Sequence, residues 1–426
     1  MKRSVLASLL MCVSSVVSSA AAAGQALTGM SRADQYLDPK EGLTLDALVT
    51  MAVSKAPSLA AARARIEAAR GDRQQAALRP NPSASFEQRE QFGGIETQTT
   101  LGMAWPLDLF RRGPRVAVAD EALRIAEYWA DDEVRQWVSM VRERATEVLA
   151  ALRQLTIADD RAGFAKTRTD LLAARVDAGA GRPLDRDLAD VAWQRAQADV
   201  IAWHAAADTA IAALKASVGV GADVPLRLAA PLADVALALP PPPQGDAMSE
   251  RPDVKARELE VSRAEAEVRR VTSESRFDLG LYAAYMTRRQ DRAPDRRMHE
   301  AAVGATISLP WRNRQQGAIA SASAMKRAAE FSSAAHHLDA RVEIDAARIR
   351  ERAAAQTLAL YRGGLMDLAA RNLGIVRESF DLGRGTLLDV LEQENRYLEL
   401  ESAYTTALRE VIDARTALLR ALGVAS

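Results

Sequence analysis

The stretch DAGAGRPLD at Asp177–Asp185 recurs as DLGRGTLLD at Asp381–Asp389, both fitting D-x-G-x-G-x-x-L-D at an offset of 204 residues (381 − 177). The same offset relates Pro106 to Pro310, Gly113 to Gly317 and Gly219 to Gly423, so two copies align without a gap from about residue 106 to 219. Chance similarity between Ala-rich helices would match apolar faces but not Gly and Pro positions, so the shared punctuation marks an internal repeat. Upstream, Pro57 and Pro252 open two similar amphipathic helices, offset by 195 (252 − 57). The difference must be absorbed between Pro82 and Pro106 in one copy and between Phe277 and Pro310 in the other.

Those two intervals change period. Phe277, Leu279, Leu281, Ala283 and Tyr285 alternate with smaller or more polar residues, and Ala301, Val303, Ala305, Ile307 and Leu309 do the same. A period of two with one apolar face predicts strands. The polar segment from Arg288 to Met298 predicts a long loop between them. In the first copy Leu101, Met103 and Trp105 alternate after a tight turn at Gly93 and Gly94, whereas Ser83 to Phe92 alternates only weakly. Each strand comes to about ten residues, the length a tilted strand needs to cross a bilayer. Trp105, Phe277 and Trp311 fall at strand ends, where interfacial aromatics belong.

Elsewhere the pattern is helical. Arg115 to Asp177 contains no proline, which permits a helix of about 60 residues and about 90 Å. In the last helix Val390, Tyr397, Tyr404, Val411 and Leu418 recur every seven residues, as do Leu391, Leu398, Thr405, Ile412 and Leu419. With Leu400, Ala407, Ala414 and Ala421 these rows cover an arc of roughly 160°, wide enough to touch neighbours on two sides. A wall of side-by-side helices requires that. Four strands cannot close a barrel, which takes about eight. Open edges in a bilayer would leave backbone groups unsatisfied. Both parts therefore predict self-association around one axis, three copies supplying 3 × 4 = 12 strands. The Pro240 to Pro243 run predicts an extended strut between the repeats.

Composition excludes several classes. Lys plus Arg and Asp plus Glu both total 56, so no charge excess favours nucleic acid, and only 5% of residues are aromatic. Lys2 and Arg3, the apolar run Val5 to Val17 and the small residues up to Gly24 predict a signal peptide over residues 1–23, the run being too short for a spanning helix. Cys12, the only cysteine, lies within that signal, and Met11 precedes it where a lipidation signal places a small residue. The mature chain then has no thiol for disulfides or thiolate metal sites. Neither a nucleophile elbow nor a P-loop nor a strand-linked G-x-G-x-x-G is present, so no catalytic or cofactor site is expected. Of the four histidines, His204 and His299 stand alone, and His336 and His337 diverge by about 100° on a helix, so no metal site is expected either.

The whole mature chain resembles the TolC-like outer-membrane efflux proteins. The resemblance is carried by Ala56-Pro57, by Pro80-Asn81-Pro82 before the first strand, and by FDLGRGTLLDVLE over Phe380–Glu392. The strand-to-helix joints WPLDLFRRGPR from Trp105 and LPWRNRQQG from Leu309 are similar to those of the heavy-metal, CzcC-type branch. The resemblance implies a mainly α fold with a small β part: a homotrimeric 12-stranded barrel in outer-membrane lipid, four strands per protomer, continued by an α-helical tunnel through the periplasm of a Gram-negative cell. It divides the mature chain into a first repeat (24–230), a Pro-rich linker (231–252) and a second repeat (253–426). A periplasmic adaptor and an inner-membrane pump of the resistance–nodulation–division class are the implied partners. Heavy-metal cations of the cobalt, zinc, cadmium and copper class are the implied cargo. Multidrug efflux or type I secretion stays open within this fold, and a soluble periplasmic coiled-coil scaffold outside it.

The D-x-G-x-G turns either supply positive φ where one helix reverses into the next, or, as in the family, also form the periplasmic tip that an adaptor contacts. The tip residues are Gly179, Gly181, Gly383, Arg384 and Gly385. Asp389 and Glu392, on one helical face at spacing i, i+3, match acidic residues that line the tunnel entrance in relatives, against the plain reading of carboxylates at a helix N-terminus. Asp185 matches Asp389 across the repeat.

Overall fold

A computed structural model of the chain describes residues 33–90, 92, 96–242, 248–290 and 293–424. The signal peptide, Cys12, the Gly93-Gly94 turn and Pro243 lie outside the described residues. In chain order come α1 (Leu45–Lys55), α2 (Pro57–Ala77), β1 (Ser83–Glu90), β2 (Glu96–Pro106), α3 (Arg112–Asp177), α4 (Pro183–Val218), α5 (Leu232–Leu237) and α6 (Pro252–Glu274). Then follow β3 (Asp278–Gln290), β4 (Ala293–Ser308), α7 (Gln316–Leu360), a π turn (Tyr361–Leu365), α8 (Met366–Asp381) and α9 (Leu387–Ala421). The four strands form one antiparallel sheet in the order β1-β2-β3-β4, so β1 and β4 are open edges.

The repeat is visible in the backbone. α3 is one continuous helix of 66 residues. Gln316 to Asp381 covers the same span in the second copy, with both ends offset by 204 (316 − 112; 381 − 177). The copies differ at the π turn, where Gly364 takes φ +121° inside the helix while the corresponding part of α3 stays regular. The helices α3, α4, α8 and α9 close alike. Gly179, Gly219, Gly383 and Gly423 have φ between +72° and +77°. Each follows its helix in a Schellman arrangement, for example Gly383 N–H to Phe380 C=O and Arg384 N–H to Ser379 C=O at 2.9 and 2.8 Å.

The core sits where the two copies meet near mid-height. Leu48 of α1, Val141, Val148 and Leu152 of α3, Leu214 and Val218 of α4 and Leu408 and Ile412 of α9 form one buried cluster. The linker contributes to it. Instead of running only as a strut, residues 231–252 open with α5, whose Leu232 and Ala236 are buried in that cluster, and close with a 3-10 turn at Met248–Glu250. The prolines that follow α5 obscured a helix of only six residues.

The expected loop between Arg288 and Met298 is corrected. β3 and β4, of 13 and 16 residues, stay paired as far as Gln290 and Ala293. Beyond the apolar band neither sheet face needs apolar side chains, so hydrophobic alternation fades while the backbone ladder continues.

Candidate functional site

Register decides what the sheet can do. Residues opposite one another on adjacent strands share a face. Ala84, Met103, Ala283 and Val303 form one row, Phe86, Leu101, Tyr285 and Ala301 the next, and Trp105, Leu281 and Ala305 the row nearer the helices. With Leu279 and Ile307 this is an unbroken apolar face. From Leu279 to Tyr285 it extends about 20 Å, at about 3.4 Å per residue. The opposite face carries Ser85, Gly102, Ala284 and Ala302 in one row and Glu87, Thr100, Met286 and Glu300 in another. Gly304 lies under the tip of the Tyr282 ring across the strand pair, which a Cβ there would meet at 2.5 Å. One apolar face and one small, polar face suit lipid outside and water within.

At the other end of the molecule the two D-x-G-x-G turns reverse α3 into α4 and α8 into α9. Gly179 and Gly383 hold the positive φ. Gly181 and Gly385 pass close to the preceding helix, where an added Cβ would meet backbone N of Val176 and Phe380 at 3.0 and 3.3 Å. Arg384 is exposed beside Gly383. Asp389 closes a capping box on α9: its backbone N–H donates to Thr386 Oγ1 (3.2 Å), and its carboxylate accepts from the Thr386 hydroxyl (2.6 Å) and backbone N–H (3.0 Å). Those hydrogen bonds hold the Asp389 carboxyl below the usual carboxylate range. Glu392 accepts from Arg396 at 2.5 Å, one turn along the exposed face. Asp185 occupies the matching position on α4, but the residue before that helix is Arg182 followed by Pro183, so no side chain caps it. The two turns share a backbone and differ in their chemistry.

Between the turns and the core, charged residues of α9 tie the wall together. Glu394 accepts from Arg168 of α3 (3.0 Å) and from Arg377 of α8 (2.9 Å). Glu401 pairs with Arg153 of α3 (2.8 Å), whose guanidinium also lies 5.4 Å from the Tyr404 ring. Arg415 and Glu351 of α7 meet at 2.5 Å, each side chain only 8% exposed. None of these partners was legible in the sequence, because matching Arg to Glu across helices needs their relative register.

A second buried group ties the start of α6 to the middles of α3 and α7. Asp253 at the start of α6 accepts from Arg251 (2.7 Å), faces Arg135 of α3 (3.5 Å) and meets His336 of α7 (3.1 Å). Burial opposes its ionisation, but the Arg251 hydrogen bond and the charge of Arg135 outweigh that and hold its carboxyl at about 2. A folded-state pKa below the unfolded value near 3.9 stabilises the fold above that value and ceases to do so as pH falls through about 2. Asp253→Asn is therefore expected to lower thermal stability at pH 7 and to flatten the acid limb of the unfolding curve between pH 4 and 2. An unchanged acid limb would contradict this assignment. His337 pairs instead with Glu258 at 3.2 Å, so the adjacent histidines point to different partners. Among the described residues no group of three or more His, Cys, Asp or Glu could hold a metal ion, and no helix is long and apolar enough to cross a membrane.

The sequence profile of the outer membrane efflux protein family matches residues 48–220 and 245–424. The chain belongs to the outer membrane efflux protein family. It is thus a passive outer-membrane duct, extending into the periplasm, rather than an enzyme. The cobalt-zinc-cadmium resistance protein CzcC of Cupriavidus metallidurans is 26% identical over 415 residues, covering 94% of this chain and 95% of that one. Among solved structures, the transmembrane channel protein CusC superposes with a TM-score of 0.75 at 16% identity, covering 90% of this chain and 93% of its own. The Neisseria gonorrhoeae outer-membrane channel MtrE gives 0.75 at 18% identity, covering 89% of each chain. These similarities identify the sheet as the membrane part of an efflux duct and the paired helices as its tunnel.

Proposed function

We propose that three copies of the chain close a 12-stranded barrel, with β4 of one protomer pairing with β1 of the next, and form the outer-membrane exit of a tripartite pump for heavy-metal cations. The single observation that carries the trimer is the sheet itself: an apolar belt on four strands with both edges open. The helices agree with it. Phe331, Leu338, Val342 and Ile349 of α7 and Leu368 and Ile375 of α8 are exposed in a single chain at spacings that keep each set on one helical side. The repeats are taken as 24–230 and 253–426, joined by 231–252. The turns at Gly179, Gly181, Gly383, Arg384 and Gly385 are the surface offered to a periplasmic adaptor, and a resistance–nodulation–division pump drives cargo into the tunnel. Similarity to the cobalt-zinc-cadmium resistance protein supports the cargo class. Deletion from a metal-resistant host should sensitise it to cobalt, zinc and cadmium, with restoration by the plasmid-borne chain. Unchanged metal tolerance would overturn the cargo assignment.

In this reading Asp389, Glu392 and Asp185 line the entrance as rings of three. Glu392→Gln removes three carboxylates without touching the Thr386–Asp389 cap. Cation selectivity in planar bilayers is expected to fall at low salt, and the difference to vanish near 1 M, where screening acts within about 3 Å. Equal selectivity of variant and parent at low salt would return Glu392 to the ordinary charges of an exposed helix.

A further inference from the structure

Two arginines stand on the wrong face for a channel lumen. Continuing up the apolar face, Gln88, Thr99, Thr287 and His299 form a polar row above Tyr285, and Glu90, Thr97, Arg289 and Arg297 form the row above that. Arg289 and Arg297 are directly opposite each other on β3 and β4 and both are exposed. Among the described residues neither has an ion pair. Like charges facing each other across a strand pair destabilise it unless an anion lies between them. Within one protomer the one carboxylate of that row, Glu90, is two strands away from Arg289, about 10 Å at about 4.8 Å per strand. The hairpin adds to the excess: from Arg288 to Arg297 the sequence holds five arginines and two aspartates, a net charge of +3 (5 − 2).

The height is informative. Arg289 lies four residues beyond Tyr285, about 14 Å along the strand and about 10 Å along the membrane normal for a strand tilted by about 40°. That is the depth of lipid headgroups above the hydrocarbon. The Tyr285 hydroxyl and His299 Nδ1, 2.6 Å apart, mark the boundary just below. Guanidinium forks bind phosphate oxygens in bidentate fashion.

We propose that Arg289 and Arg297 form an outward-facing clamp for the phosphates of a phosphorylated glycolipid in the outer leaflet. The lipid supplies the anion that relieves the opposed charges and fixes the barrel's height. This rests on the sheet spanning the outer membrane with its turns outward.

The test uses the full chain purified in detergent and titrated, with native mass spectrometry as readout, against bisphosphorylated lipid A, the same glycolipid with its phosphates removed, and inorganic phosphate. The phosphorylated lipid should bind, and the dephosphorylated one should bind much more weakly. Arg289→Gln with Arg297→Gln should weaken the phosphorylated lipid by about 30-fold, the effect of two basic residues at an anionic surface. Glu90→Gln should leave binding intact. Equal binding of both glycolipids to the unaltered protein, which needs no variant to fold, would overturn the proposal. So would inorganic phosphate competing at the lipid's own concentration. Loss of the trimer in both Arg297→Gln and Glu90→Gln would assign Arg297 to a neighbouring copy instead, overturning it as well. A protein that inserts and conducts but ignores phosphate refutes the clamp alone, whereas a chain that never inserts removes the duct reading with it.

Discussion

Replacing Val303 with Arg is expected to abolish accumulation of the assembled protein in the outer membrane. Val303 lies mid-strand on the apolar face, opposite Ala283, and is 85% exposed in the single chain. A guanidinium placed toward hydrocarbon at that depth costs about 2–4 kcal/mol per copy, which is about 30- to 1,000-fold in the insertion equilibrium. In a symmetric ring the penalty recurs in every protomer. Ala302→Gln, one residue away on the opposite face, should insert normally, because that face meets water. Membrane fractionation and the heat-dependent mobility of the barrel on gels report both. Normal assembly of Val303→Arg, together with failure of Ala302→Gln, would mean that the faces have been assigned the wrong way round.

Glu351→Ala is expected to destabilise the fold by about 3–5 kcal/mol, the cost of leaving one member of a buried ion pair without its partner. Arg415 is held between the Glu351 carboxylate and the Pro240 carbonyl, and its Nε has no partner among the described residues. Removing Glu351 strands a guanidinium in the cluster that joins both repeats to the linker. Replacing both residues with apolar side chains, Glu351→Leu with Arg415→Met, should recover much of the loss, since buried pairs contribute little net stability against well-packed apolar residues. Chemical denaturation of the detergent-solubilised protein compares the three. A loss for Glu351→Ala of below about 1 kcal/mol would show that water reaches the pair.

The large elements were legible because each carries a periodic or punctuating signal. Gly179 and Gly383 announced the helix reversals, and the proline-free stretch before Asp177 announced α3. Strand alternation around Val303 and Leu281 revealed the apolar face even before a register was known. What stayed hidden lacks such a signal. α5 is too short for a helical period and lies among prolines. The ends of β3 and β4 lie beyond the apolar band, so the polar residues from Arg288 to Met298 looked like a loop. The paired glycines Gly363 and Gly364 did offer a sequence mark for the π turn. The sequence leaves Asp389 either an entrance charge or a carboxylate at a helix N-terminus, T-L-L-D from Thr386 also spells a capping box, and the structure gives its carboxylate the capping role. The carboxylate–guanidinium contacts of Glu394, Glu401 and Glu351 required the packing of one helix on another.

The central claim is that one chain supplies a third of a closed barrel. Native mass spectrometry of the mature protein released from detergent, paired with electron microscopy in lipid nanodiscs, measures it directly. Three copies around one axis, with 3 × 4 = 12 strands in a single continuous barrel, are the expected result. A monodisperse monomer with its β1 and β4 edges unpaired, or a ring of any other number, would contradict it.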